Sequence, residues 1–175
     1  TEASVSAGSD NMIQQMIPSV AWDTKYFTVP TKTMEHNLYR IYVRVDTQKV
    51  WVNNETHVTA LSNAINVVNG GAPTFTGNYT FTKFANSPGG YYSLETSYPI
   101  EIESSQPISV TQFITAGDCA VNPTVTGNNG QGDPEMIILT GAQQAITNAV
   151  VYSPSFQNGA SGGGYINVII PKEGI

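Results

Sequence analysis

The stretch Gly132-Asp133-Pro134-Glu135-Met136-Ile137-Ile138-Leu139 hands a polar turn directly into an apolar run. Asp133 can hydrogen-bond the backbone ahead of it, and Pro134 fixes φ while removing a donor, so the pair ends one segment and launches the next. Met136 to Leu139 then reads as a strand buried on both faces. Upstream, Pro107 to Ala116 alternates in period two and is rich in β-branched residues, which predicts another strand. Between the two lies a polar stretch, Gly117 to Gln131, built of Gly, Asn, Thr and one Cys. A strand, a long polar loop, a Gly-Asp-Pro turn and a second strand point to an all-β chain.

Working outward, the same punctuation recurs. Trp22 to Val29 reads as a strand ending at Pro30. Leu38 to Asn53 reads as a hairpin with Asp46 to Lys49 as its turn. In that hairpin Val45 would face Val50 and Val43 would face Val52, which sets Arg44 across from Trp51. Thr56 to Leu61, Ile65 to Val68, Tyr79 to Phe84, Tyr91 to Thr96 and Pro99 to Ser104 follow as strands, and Ser-x-Pro-Ile occurs at both Pro99 and Pro107. Each of these prolines is expected at a strand's first position, where a missing donor does least harm. Thr140 to Ile146 is one helical turn or a loop, Asn148 to Tyr152 is a strand, and Tyr165 to Ile170 closes the sheet. About ten short strands with turn signals between them predict a mostly antiparallel sandwich or barrel-like domain with long polar loops. Helix content should fall well below the usual third.

Several of these segments carry a family resemblance. The run Ser104 to Phe113, followed after a variable loop by Gly132-Asp133-Pro134-Glu135-Met136, resembles the hallmark of the IgG Fc-binding protein N-terminal domain family. Ile17-Pro18 to Tyr26 resembles that family's opening strand, Arg40 to Asn53 its turn-linked segment, and Gly164 to Pro171 its closing strand. Gln48-Lys49 stands where one spacer residue is usual. The resemblance spans about Met12 to Pro171 and implies a secreted or surface-displayed binding or adhesion module with no active site attached. Fc binding belongs to the family's founding animal protein.

Composition narrows the function classes. The chain has 175 residues, enough for one domain with a real core, and only 11% of them are charged. A polar but weakly charged surface is typical of extracellular β-proteins. A formal net charge of −6 with seven basic residues argues against nucleic acid, where Lys and Arg must neutralise phosphates. The lone Cys119 excludes an internal disulfide. No apolar run approaches the ~20 residues of a membrane-spanning helix, so membrane insertion is not expected. Thr1 to Asp10 lacks the charged and apolar regions of a signal peptide. These features predict a flexible segment over residues 1–11, a binding domain over 12–171 and the start of a linker over 172–175, excised from a larger secreted protein.

Candidate chemistry is sparse. Only His36 and His57 are present, and with Cys119 they fall short of the four ligands of a structural zinc site. No Gly-x-Ser-x-Gly elbow occurs. Asp118, Asp133 and Glu135 form the best carboxylate cluster and, with Asn128, Asn129 and loop carbonyls, could hold a Ca²⁺, although plain Asx-turn roles are the favoured explanation. No other cofactor is implied. Tyr42, Arg44 and Trp51 would form an outward ridge able to stack on a sugar ring or another domain, or merely a solvated cross-strand pair. The expected function is therefore a non-enzymatic binding module at the cell surface or outside the cell, engaging a protein or a glycan beside neighbouring domains of its own chain. A structural spacer is the alternative, and a carbohydrate-active enzyme using Asp133 or Glu135 as acid is a third reading.

Overall fold

In the computed structural model the described residues are 14–31, 37–54, 57–61, 79–96, 98–114, 135–150 and 167–170. They form eight strands: β1 (Asp23–Thr28), β2 (Asn37–Val43), β3 (Val50–Asn54), β4 (His57–Leu61), β5 (Tyr79–Lys83), β6 (Gly90–Thr96), β7 (Ile100–Ile114) and β8 (Glu135–Ile138). Short 3₁₀ turns lie at Ser19–Ala21 and Ala142–Gln144. The strand order is β4-β3-β7-β2-β6-β5, with β1 and β8 also paired to β7, and every pairing is antiparallel. The expected all-β class is therefore observed.

The organiser of the fold is β7, which fuses the two strands expected at Pro99 to Ser104 and Pro107 to Ala116 into one of 15 residues. Its first part pairs with β1 and β3, and its last part with β2 and β8. Thr28 at the end of β1 pairs with Ile100, yet the Gln112 Nε2 donates to the Val29 carbonyl at 3.3 Å. A straight strand rising ~3.3 Å per residue would hold positions 100 and 112 about 40 Å apart. β7 therefore turns a corner, and its two halves face each other across one core, as when a strand switches sheets at a bulge.

The corner lies at Ser105 to Pro107, where the β1 register jumps from Glu103 opposite Lys25 to Ile108 opposite Asp23. Here the buried Gln48 side chain replaces the interrupted ladder. Its Nε2 donates to the Gln106 carbonyl at 2.6 Å and to the Ser104 hydroxyl at 2.8 Å, while Ser105 N donates to the Lys49 carbonyl at 3.0 Å. Pro107 thus sits within a strand and not at its start. The bulge excuses its missing donor.

One corrected pairing concerns the hairpin expected over Leu38 to Asn53. β2 and β3 do not pair with each other. β2 lies between β6 and the last part of β7, and β3 between β4 and the first part. Asp46 to Lys49 offers no Gly or Asn for the positive φ that tight hairpin turns favour. Residues 44–49 instead wrap the corner, tied down by Gln48, so the apolar alternation of each strand is satisfied against β7.

Burial follows the period-two pattern. Tyr39, Ile41 and Val43 of β2 and Tyr92 and Leu94 of β6 point inward, meeting Tyr26, Val50, Val52, Ile100, Ile102, Ile108 and Val110 in a single core. Each such side chain contributes about 1.5 to 3 kcal/mol relative to exposure. β8 differs from the expected strand buried on both faces: Glu135 is exposed and Ile137 is 41% exposed, because among the described residues β8 pairs with β7 alone. Nor are residues 148–150 and 167–170 strands; they are exposed, and β-branched composition without a partner ladder is insufficient. The strand expected at Ile65 to Val68, the segment 1–11, the loop Gly117 to Gln131 and the linker 172–175 lie outside the described residues.

Candidate functional site

Alternation that buries Tyr39 and Ile41 necessarily turns Arg40 and Tyr42 to the opposite, outer face of β2. Registers then fix their neighbours. Arg40 lies between Ser93 on β6 and Thr111 on β7, and Tyr42 between Tyr91 on β6 and Ser109 on β7. The resulting row runs across the face. Phe84 and Tyr91 have ring centroids 6.0 Å apart and Tyr91 and Tyr42 5.7 Å, while the Arg40 guanidinium lies 5.0 Å from the Tyr91 ring and 4.9 Å from that of Phe113. Phe84 is 39% exposed, and the other four are half-buried.

The turn joining β5 and β6 sets one end of this row. Phe84 N donates to the Gly89 carbonyl at 3.0 Å and Asp46 N to the Pro88 carbonyl at 2.8 Å. A side chain at Gly89 would overlap the Val43 carbonyl, so only glycine lets the turn sit against the end of β2. The Lys83 ammonium adds a 2.7 Å ion pair to Asp46, whose carboxyl it holds below the ordinary range.

Beside the guanidinium the face carries unused hydrogen-bonding capacity. Arg40 Nε and the hydroxyls of Ser109 and Thr111 are buried and have no hydrogen-bond partner among the described residues. Orphaned polar atoms of this kind each cost about 1 to 3 kcal/mol and call for an explanation.

The outer face of the other half is charged. Lys25 bridges Glu101 at 3.1 Å and Glu103 at 3.0 Å and lies 5.2 Å from the Phe27 ring; the hydrogen bond it donates to Glu103 leads the effects that raise its pKa. Asn53 donates to Glu101 at 3.2 Å, and Trp51 pairs with Glu103 across β3 and β7. At its edge, Phe27, Pro99, Ile100 and Ile169 line a groove of about 280 Å³.

Tyr42, Arg44 and Trp51, expected as one ridge, are separated. Tyr42 stays in the aromatic row. Arg44 sits over the Trp22 ring at 5.5 Å and donates to the Ser19 carbonyl at 2.7 Å, so the pair expected between Arg44 and Trp51 is not formed. Trp51 belongs to the charged half. Arg40, Phe84, Tyr91 and Phe113 were not anticipated, although their outward parity within alternating strands was the available signal. Of the calcium candidates, Glu135 begins β8 with an exposed side chain opposite Ile114, whereas Asp118 and Asp133 lie outside the described residues. Among the described residues no group of three or more His, Cys, Asp or Glu converges on a metal site, and no helix is long and apolar enough to cross a membrane.

No curated protein and no solved structure matches the chain. The sequence model of the IgGFc binding protein family matches residues 1–174, nearly its full length, as the resemblance at Ser104 to Phe113 and Gly132 to Met136 implied. The chain therefore belongs to the IgGFc binding protein family.

Proposed function

We propose that this chain is a non-enzymatic binding module of a larger secreted or cell-surface protein, and that it engages a protein or glycan partner through the outer face of β5, β6, β2 and β7. The observation that carries this reading is the row of Phe84, Tyr42, Tyr91, Arg40 and Phe113, in which Tyr91 contacts Phe84, Tyr42 and Arg40, and Arg40 contacts Phe113. Tyr and Arg are enriched among the residues that dominate interface energetics, Tyr because it brings large area with little rotamer freedom to lose and Arg because its planar fork of donors is preorganised. Here the contacts within the row already restrict those rotamers before a partner arrives. Family membership supports a binding role in the same direction.

Binding of the chain to a panel of immobilised extracellular proteins and glycans tests this. Tyr91→Ala should weaken a detected interaction at least tenfold, and Trp51→Ala, on the opposite half, should leave it unchanged. The reverse pattern would place the interface on the charged half, and no binding to any panel member would favour a spacer role.

A further inference from the structure

We infer that the groove at the end of β1 is a second docking site, separate from the aromatic row, and that it takes a protein segment in which a lysine or arginine stands beside an aliphatic residue. The walls are apolar: Phe27, Val29, Pro99, Ile100 and Ile169 line a volume of about 280 Å³. Sites for free small molecules run from ~300 to 1,000 Å³, so this one suits a side chain or two of a larger partner. Phe27 is 37% exposed, Ile169 50%, and Tyr98, next to Pro99, 57%, which leaves apolar surface open to an incoming chain.

The polar end of the groove sets the sign of the partner's charge. Glu101 lines it, between Phe27 on β1 and Asn53 on β3. Lys25 Nζ and Asn53 Nδ2 both contact the same carboxylate oxygen, Oε1, at 3.1 Å and 3.2 Å. Among the described residues nothing bonds Oε2, and the Glu101 side chain is 29% exposed, within a partner's reach. Lys25 also serves Glu103 at 3.0 Å, so one ammonium is shared by two carboxylates and a negative charge is left in excess. The net charge of −6 adds a field of the same sign, which attracts a cation and repels an anion. Long basic side chains match both parts of the groove, laying an aliphatic stem on apolar walls while the charged head stays at the rim. Lys25 itself lies 5.2 Å from the Phe27 ring, so that ring already carries a cation against it. A neutral side chain would fill the walls and leave the carboxylate unused, and an acidic one would meet Glu101 and Glu103 with like charge.

The test titrates the whole isotope-labelled chain with the capped pentapeptide Thr-Leu-Lys-Leu-Thr and with its analogues carrying Arg, Gln or Glu at the centre, followed by amide chemical shifts. A basic centre should bind about fivefold tighter than glutamine, the worth of a charge-assisted contact at a partly exposed site, and glutamate should bind weakest. Shifts should centre on Phe27, Tyr98, Ile100 and Ile169 while Phe84 and Tyr91 stay still. Glu101→Gln should abolish the preference for a basic centre, Ile169→Ser should weaken the basic and glutamine peptides alike, and circular dichroism should show both variants folded. Equal binding of all the peptides, a preference that survives Glu101→Gln, shifts centred on the aromatic row, or no binding at all would overturn the inference. Self-association in sedimentation that Ile169→Ser abolishes would make a second copy the occupant and overturn it too. The aromatic row keeps its role under each of these outcomes except shifts at Phe84 and Tyr91, which would strengthen it.

Discussion

The Gln48 Nε2 donates to the Gln106 carbonyl at 2.6 Å, joining the connection between β2 and β3 to the corner of β7. Gln48 is 4% exposed, and its Oε1 accepts from Arg44 N at 3.3 Å, so both ends of the amide are used. Gln48→Leu should lower stability by about 1 to 3 kcal/mol by removing the partners of the Gln106 carbonyl and the Arg44 amide. Urea denaturation should show a lower midpoint with an unchanged m-value. Gln48→Glu should be worse than leucine at neutral pH, since a carboxylate would face carbonyl oxygens, and the gap should narrow in acid as the carboxyl regains a donor. An unchanged midpoint in Gln48→Leu would mean the corner is held by backbone pairing alone.

A second tie joins the segment after β8 to the start of β1. Asp23, 4% exposed, accepts from Thr24 N at 2.6 Å and from Gln143 N at 2.8 Å, the latter in the 3₁₀ turn that follows Gly141. A Cβ at Gly141 would overlap the Asp23 side chain, although the φ of −68° suits any residue. Gly141→Ala is therefore a test of space and not of backbone freedom. It should destabilise by about 1 to 3 kcal/mol through overpacking, and hydrogen exchange at Thr24 and Gln143 should accelerate. Wild-type exchange at both amides would show that the segment can lift away without loss.

Tyrosines in the core tie stability to alkaline pH. Burial pushes the hydroxyls of Tyr39 and Tyr92 up to about 12, with the negative charge of an ionised Tyr79 and of Asp46 adding to the shift at Tyr92; burial also raises Tyr26, offset by its bond from Asp23 N. Each folded value exceeds the unfolded one near 10, so the neutral forms stabilise the fold fully below pH 10 and that contribution is lost as pH rises toward 12. Tyrosinate absorbance from Tyr39 and Tyr92 should appear only as the chain unfolds, above the pH at which the unfolded chain ionises. A single stage near pH 10 with the chain still folded would contradict the core assignment.

The cation over Trp22 gives a direct check on where residues 44–49 run. Arg44→Ala should alter the fluorescence of a Trp51→Phe background, which retains Trp22, and leave a Trp22→Phe background unchanged. Its effect on stability should stay within ~0.5 to 1 kcal/mol, as for an exposed cation–π contact. Fluorescence changes confined to the Trp22→Phe background would restore the hairpin register in which Arg44 faces Trp51.

That register shows where the sequence was legible and where it was not. The strands β2, β5 and β6 were readable because apolar parity repeats without interruption, as in Tyr39, Ile41 and Val43. Parity gives a strand's inward face but not its neighbour. The same alternation in β2 and β3 allowed a hairpin, and only the preference of both for β7 removes it. Pro107 concealed the continuity of β7, since a proline ordinarily ends a strand unless a bulge frees its donor position. For the candidate surface, Tyr42 was legible by parity alone, whereas its association with Tyr91, Arg40 and Phe113 depends on non-local pairings that no local pattern encodes.

The central claim is that partners meet the outer face of β5, β6, β2 and β7. Amide chemical-shift mapping of the labelled chain, titrated with a partner drawn from the binding panel, tests this most directly. Perturbations should cluster at Arg40, Tyr42, Phe84, Tyr91, Ser93 and Thr111 while Lys25, Trp51 and Glu103 stay still. Perturbations centred on Lys25, Trp51 and Glu103, with the aromatic row silent, would contradict it.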